Sequence, residues 1–189
     1  YGATARYDHT RHKWFLWDTQ KWKCDEIGQV QELMARTLRA IYAEAEVLPT
    51  ESERKWMVKW ALASEGRAKI SDALAIAKTL PTIRAQSTDF DSDPWVLNVR
   101  NGRVDLRNGT FLPHDHRVLY SMLAGTSHSE KSQAPWWEEV LCQIFNGDDN
   151  LIAFVRRAVG YSLTGVTDSQ ALFFAYGTGA NGKSTFFEV

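Results

Sequence analysis

The residues with the most explicit chemistry stand at 172–189, "LFFAYGTGANGKSTFFEV". Gly177-Thr178-Gly179-Ala180-Asn181-Gly182-Lys183-Ser184, followed by Thr185, fits G-x-x-x-x-G-K-[S/T] at every fixed position. Such a run binds nucleotide phosphates. Successive backbone N–H groups surround the anion, and glycines let the chain turn sharply enough to aim them inward. Lys183 would supply a mobile cation for the β- and γ-phosphates, and Ser184 a hydroxyl for Mg²⁺. A helix opening after the loop would add the positive end of its dipole. Chance would place the four fixed residues in roughly one of two hundred chains of this composition. The apolar run "ALFFAY", residues 171–176, predicts a strand buried on both faces just before the loop.

Other candidates carry weaker patterns. His9-x-x-His12 is half a metal site at most, and without a nearby cysteine or third ligand it reads as a solvent-facing pair. His114-Asp115-His116 follows Pro113 and reads as a structural turn. Hydrolysis would require an acid on a neighbouring strand to hold the Mg²⁺ shell. Asp105 in "RVDL" is the earlier apolar-then-acid position, and it belongs to a hairpin instead. Arg36, Arg39, Arg54, Lys55, Lys59, Arg67 and Lys69 could follow a nucleic-acid backbone with Trp56 or Trp60 stacking a base. Glu44, Glu46, Glu51, Glu53 and Glu65 interrupt that charge, and helical spacing of the tryptophans predicts a core position for them.

The elements that must position these groups are legible in outline. "KWFLWDTQKWKC" predicts a hairpin turning at Asp18-Thr19-Gln20, with Trp14, Trp17 and Trp22 packed beneath it. Ile27, Val30, Leu33, Met34, Leu38, Ile41 and Ala45 form one helical stripe that Pro49 ends. Thr50 and Glu53 have capping-box spacing and open a helix with Trp56, Trp60 and Ala63 on one face. Gly66 breaks it, and "AKISDALAIAKTL" predicts a third helix. "STDFDSDPW" reads as an acidic connector. Asn101-Gly102 and Asn108-Gly109 then mark the turns of a three-stranded meander. After the polar linker "TSHSEKSQA", Pro135 starts a helix that Asn146-Gly147 ends. Asp149 is expected to cap the next one, whose stripe is Leu151, Ile152, Val155, Ala158 and Val159.

Composition narrows the class. The chain has 189 residues, is 44% hydrophobic, and carries a formal net charge of −1, so overall basicity cannot be what holds a nucleic acid. Eight tryptophans give aromatic packing a large share of the interior. Cys24 and Cys142 form no metal pattern and read as ordinary thiols. No stretch approaches the ~18 apolar residues of a membrane span, which predicts a cytoplasmic protein with no membrane partner. The chain opens at Tyr1 without a methionine or signal segment and stops one turn past the loop, so we expect a piece of a longer protein.

Taken together, "LNVRNGRVDLRNGTFLPHD", "FVRRAVGYSLTG" and "LFFAYGTGANGKSTF" resemble the phage and plasmid primase–helicases related to the poxvirus primase–helicase, whose motor is a superfamily 3 helicase. The similarity is clearest from about Pro94 onward. The resemblance implies an ATP-dependent DNA helicase of a phage or mobile element, working in a bacterial host cell on single-stranded or forked DNA. It implies self-association into a ring, expected to be a hexamer, with ATP and Mg²⁺ as cofactors. Gly177 to Thr185 would be the nucleotide-binding residues, with Ser184 reaching Mg²⁺ through the nucleotide. The expected fold class is α+β. A mainly helical accessory domain with β-hairpins would cover residues 1–127, and the truncated start of an α/β AAA+-type P-loop domain would cover 128–189. Without the downstream acidic motif, residues 1–189 are expected to be inactive alone. Two other classes remain open: a non-catalytic oligomerisation or DNA-binding module, and a P-loop phosphotransferase.

Overall fold

The structure, a computed structural model, describes residues 2–177, 179 and 181–188. It comprises two compact units, Tyr1–Ser92 with His114–Leu123, and Asp93–Pro113 with Ala124–Val189.

The first unit is built on a four-stranded sheet and three helices. Strands β1 (Ala5–Asp8), β2 (Lys13–Trp17) and β3 (Trp22–Cys24) run antiparallel, and the two-residue β4 (Arg84–Ala85) pairs parallel to β1, giving the order β3-β2-β1-β4. The predicted hairpin is β2–β3, in register at Trp17 and Trp22. Its turn closes as expected because the Asp18 carboxylate accepts the N–H groups of Gln20 at 3.0 Å and Lys21 at 2.8 Å. Strands β1 and β4 had no sequence signal. Four and two residues are too few for a periodic pattern, and β4 holds its place through bonds such as Tyr7 N–H to the Ile83 carbonyl at 2.8 Å.

Trp22 is wholly buried beside Phe15, Ala85 and Phe90, with Trp17, Cys24 and Leu119 packed around them. Tyr7, Ala77 and Ile83 form a second cluster against Trp14. The acidic stretch expected as a connector therefore contributes to the core through Phe90. Asp91, at φ 49°, then accepts the N–H groups of Ser121 at 2.8 Å and Met122 at 3.3 Å as well as the Ser121 hydroxyl. These bonds tie residues 114–123 into this unit.

Helix α1 spans Gln29–Glu46, α2 Glu51–Ser64 and α3 Arg67–Ala77. Val30, Ile41 and Ala45 of the predicted stripe are buried, but Ile27 precedes the helix and is 82% exposed. Asp25, not anticipated, satisfies the first turn of α1 by accepting from the N–H groups of Gly28, Gln29 and Val30 at 2.8–2.9 Å. The Thr50–Glu53 capping box forms in both directions. The face of α2 is a correction. Ala61 is its buried residue, while Trp56, Trp60 and Ala63 lie exposed. Helix α1 packs closely on α2, whose buried Ala61 lies well around the helix from both tryptophans.

In the second unit the predicted meander forms as β5 (Val96–Val99), β6 (Gly102–Asp105) and β7 (Thr110–Leu112). Gly102 opens β6 rather than occupying the turn. A Cβ there would lie 2.6 Å from the Phe111 ring and would also strike the Leu112 carbonyl, so β7 can cross here because Gly102 has no side chain. The linker begins pinned to this sheet. Asn101 and His128 exchange hydrogen bonds of 2.8 and 2.9 Å, and the His128 ring lies along Phe111.

Helix α4 (Pro135–Ile144) starts on its proline as predicted, and Asn146 and Gly147 leave it at positive φ. Helix α5 runs Asp149–Ser162, but its cap is Asp148, whose carboxylate accepts from Asn150 and Leu151 N–H at 3.0 Å. Asp149 is instead the first helical residue. Only Ile152 of the expected α5 stripe is buried among the described residues, and Leu151 and Val159 face solvent. A six-residue helix, α6 (Lys183–Glu188), closes the unit. No described helix is long and apolar enough to cross a membrane.

Candidate functional site

The approach to the glycine loop corrects the strand expectation. Residues 171–176 form no strand and are exposed throughout, with Leu172 at 91%. A strand needs a neighbour for its backbone N–H and C=O groups. No strand beyond β1–β7 pairs among the described residues, so "ALFFAY" runs as unpaired chain. The α/β start expected here is not formed in the described residues.

The described residues of the loop gather around Lys183. Its ammonium donates to the Gly177 carbonyl at 3.0 Å and to the Asn181 side-chain oxygen at 3.0 Å. A Cβ on Gly177 would run into the Asn181 amide and stand 3.2 Å from the Lys183 nitrogen, so a side chain there would have to push both aside. Gly179 and Gly182 take φ of 100° and 77°, where a side chain is strained. Gly182 also presses on α4, since a Cβ would lie 2.6 Å from Ile144 Cγ1. Thr178 and Ala180, predicted members of the loop, lie outside the described residues.

Aromatic contacts hold the loop's exit helix on α4. The Phe186 ring lies nearly parallel to Trp137 with centroids 5.9 Å apart and edge-on to Phe145 at 6.3 Å. Between the loop and α4 a shallow groove of about 420 Å³ is lined by Val140, Gln143, Ile144, Asn181, Gly182 and Thr185. Lys183 is half-buried, whereas Ser184 and Thr185 are exposed. The structure therefore brings Gly177, Asn181, Gly182 and Lys183 together, and leaves the Ser184 hydroxyl facing water. A cation held by two neutral oxygens, beside glycines that keep the backbone bare, is chemistry suited to an anion.

Three of the other candidates, Asp105, His9 and His116, have structural partners. Asp105 sits in β6, where its carboxylate accepts from the Arg107 N–H at 2.9 Å and faces the guanidinium at 3.4 Å. Arg107 also makes a two-pronged pair with Asp93 at 2.6 and 3.1 Å. That hydrogen-bonded pair holds the Asp93 carboxyl below its ordinary range, against a smaller opposing push from burial. His9 Nε2 lies 2.9 Å from the Lys78 carbonyl, and His116 stands edge-on to Trp17. No group of three metal-ligating side chains forms among the described residues.

The first unit holds a buried carboxylate that sequence reading passed over. Asp8, wholly buried, accepts Thr10 N–H at 2.8 Å, Arg11 N–H at 3.1 Å and the Ser87 hydroxyl at 2.8 Å. Burial pushes its pKa up, but the Ser87 bond, the two backbone N–H groups and the Arg11 charge outweigh this and hold it below the ordinary value. Its role is to join the β1–β2 turn to residue 87.

Comparison with known proteins places the chain. No curated protein matches it. The family model described as D5 N terminal like matches residues 1–146, from β1 to just past α4, and stops short of the glycine loop. With 146 of its 189 residues matched, the chain belongs to the D5 N terminal like family, a phage and viral family of primase–helicase-like proteins.

Proposed function

We propose that the chain belongs to an ATP-dependent DNA helicase of the primase–helicase kind, active in phage or mobile-element DNA replication, and that Gly177–Thr185 bind ATP with Mg²⁺. On this reading the motor is of superfamily 3 and AAA+ type. It acts on single-stranded or forked DNA as a ring, expected to be hexameric, in the cytoplasm of a bacterial host. Membership of a primase–helicase family supports the replication setting.

One observation carries the nucleotide reading: Lys183 folds back over its own loop onto the Gly177 carbonyl and Asn181. A phosphate oxygen carries charge and is a better partner for an ammonium than either neutral oxygen. ATP would thus draw Lys183 off its two internal acceptors and leave Ser184 free to reach Mg²⁺. Losing those two bonds opposes binding, so we expect a Kd weaker than about 1 µM. With no acidic metal cluster among the described residues, ATP turnover should stay at background.

Titration with a fluorescent ATP analogue tests this. Lys183→Ala should weaken binding at least about tenfold, the loss of one charge-assisted contact. Equal binding by wild type and Lys183→Ala would refute the site.

A further inference from the structure

Helix α2 presents a surface whose chemistry points away from the protein's own core. Trp56 and Trp60 stand one turn apart, and at about 100° per residue they lie roughly 140° and 100° around the helix from buried Ala61. Their rings are parallel within 3°, with centroids 6.4 Å apart, and remain 64% and 48% exposed. Two indoles held flat and side by side in solvent form a face that aromatic rings of another molecule can cover.

The charge along α2 and the start of α3 is mixed, with a slight excess of cations. Glu51 is paired with Lys55 at 2.6 Å, and the Glu53 carboxylate is taken up by Thr50 in the capping box. Glu65 bonds the Tyr42 hydroxyl. Lys59, next to Trp60, has no acidic partner among the described residues, and neither have Arg67 and Lys69 at the start of α3. Glu53 and Glu65 keep their charge on these neutral hydroxyl partners, so with Asp72 the stretch 51–72 carries four acids against five cations, and Lys59 is the cation nearest both indoles in sequence. A strand of unpaired nucleotides meets both demands, flat faces and negative charge at short intervals.

We propose that Trp56 and Trp60 are a stacking platform for the bases of single-stranded DNA, with Lys59 on the adjoining phosphate. The choice of DNA over RNA rests on the replication reading above. The platform is separate from the glycine loop in chemistry and in position along the chain. It therefore predicts DNA contact without nucleotide.

The test is fluorescence anisotropy of a labelled dT20 oligonucleotide with residues 1–189, at 50 and 200 mM salt. Wild type should bind without ATP. Trp56→Ala and Trp60→Ala should each weaken binding by about tenfold or more, and Trp→Phe at both positions should retain most of it. Lys59→Ala should flatten the plot of log affinity against log salt by about 0.7. Both tryptophans are exposed, so far-UV circular dichroism should be unchanged in every variant.

Absence of dT20 binding by wild type, or equal binding by the alanine variants, overturns the platform. Tighter binding to rU20 overturns the assignment to DNA. A dimer in sedimentation that Trp56→Ala and Trp60→Ala dissociate, with dT20 affinity unchanged, overturns it in favour of a contact between copies. The ATP-analogue titration on the same samples keeps the two readings apart. Loss of nucleotide binding with dT20 binding intact fails the loop alone, and the reverse fails the platform alone.

Discussion

Asp8 offers the most direct measurement of what holds the first unit together. The carboxylate is wholly buried, and three donors converge on it: Thr10 N–H, Arg11 N–H and the Ser87 hydroxyl. Asp8→Ala would leave two backbone N–H groups and a hydroxyl without their acceptor inside the fold. A hydrogen bond to a charged group contributes about 1.5–3 kcal/mol, and the three are not additive because they share one acceptor. The Arg11 guanidinium at 3.5 Å is half-exposed and adds little. We therefore expect a loss of about 4 kcal/mol for Asp8→Ala and about 1–2 kcal/mol for Asp8→Asn, which keeps an acceptor for the two N–H groups.

Urea unfolding followed by circular dichroism and tryptophan fluorescence measures both. The pH dependence supplies an independent check. The Asp8 pKa in the fold lies below its unfolded value, so its stabilisation is present above about pH 4 and is lost as pH falls through the folded value. The gap between wild type and Asp8→Asn should accordingly narrow below about pH 4. A loss under about 1 kcal/mol for Asp8→Ala, or a gap that stays constant from pH 6 to 3, would refute the account of Asp8 as a charged, fully bonded junction.

Two further substitutions probe local rules. Gly102→Ala should cost about 2–3 kcal/mol, because its methyl would press into Phe111 and the Leu112 carbonyl, while Gly125→Ala, which meets open space, should be nearly neutral in the same denaturation assay. Thr50→Ala should lower stability by about 1 kcal/mol through loss of the cap on Glu53 N–H, and Thr50→Ser should restore most of it.

How much of the molecule was legible follows from the range over which each signal is decided. The Thr50–Glu53 box, Pro135 at the start of α4, and the Asp18 turn are settled within three or four residues, and each formed as read. Asn101-Gly102 marked its hairpin correctly but for a different reason. The glycine is needed where β7 crosses it, and that contact spans ten residues. Asp148 displaced Asp149 as the cap of α5 because adjacent acids look alike in sequence, and only backbone geometry selects between them. Strand β4 depends on a parallel pairing to β1 across nearly eighty residues, for which nothing local speaks.

Periodicity shows that residues share a face, not whether that face is covered. Trp56 and Trp60 were correctly placed together on α2, yet the inward side belongs to Ala61, whose small side chain lets α1 approach closely. The same limit explains residues 171–176. An apolar run states a need for burial, and only a neighbouring strand can meet it. In both places the sequence pattern was real and the missing term was the partner. For the loop the dependence is reversed, since Lys183 reaches Gly177 and Asn181 within six residues. The sequence assigns Lys183 to phosphates and does not anticipate these internal acceptors. Residues decided within a few positions can be read from the sequence, and those whose burial depends on a partner, such as the indole pair on α2, cannot.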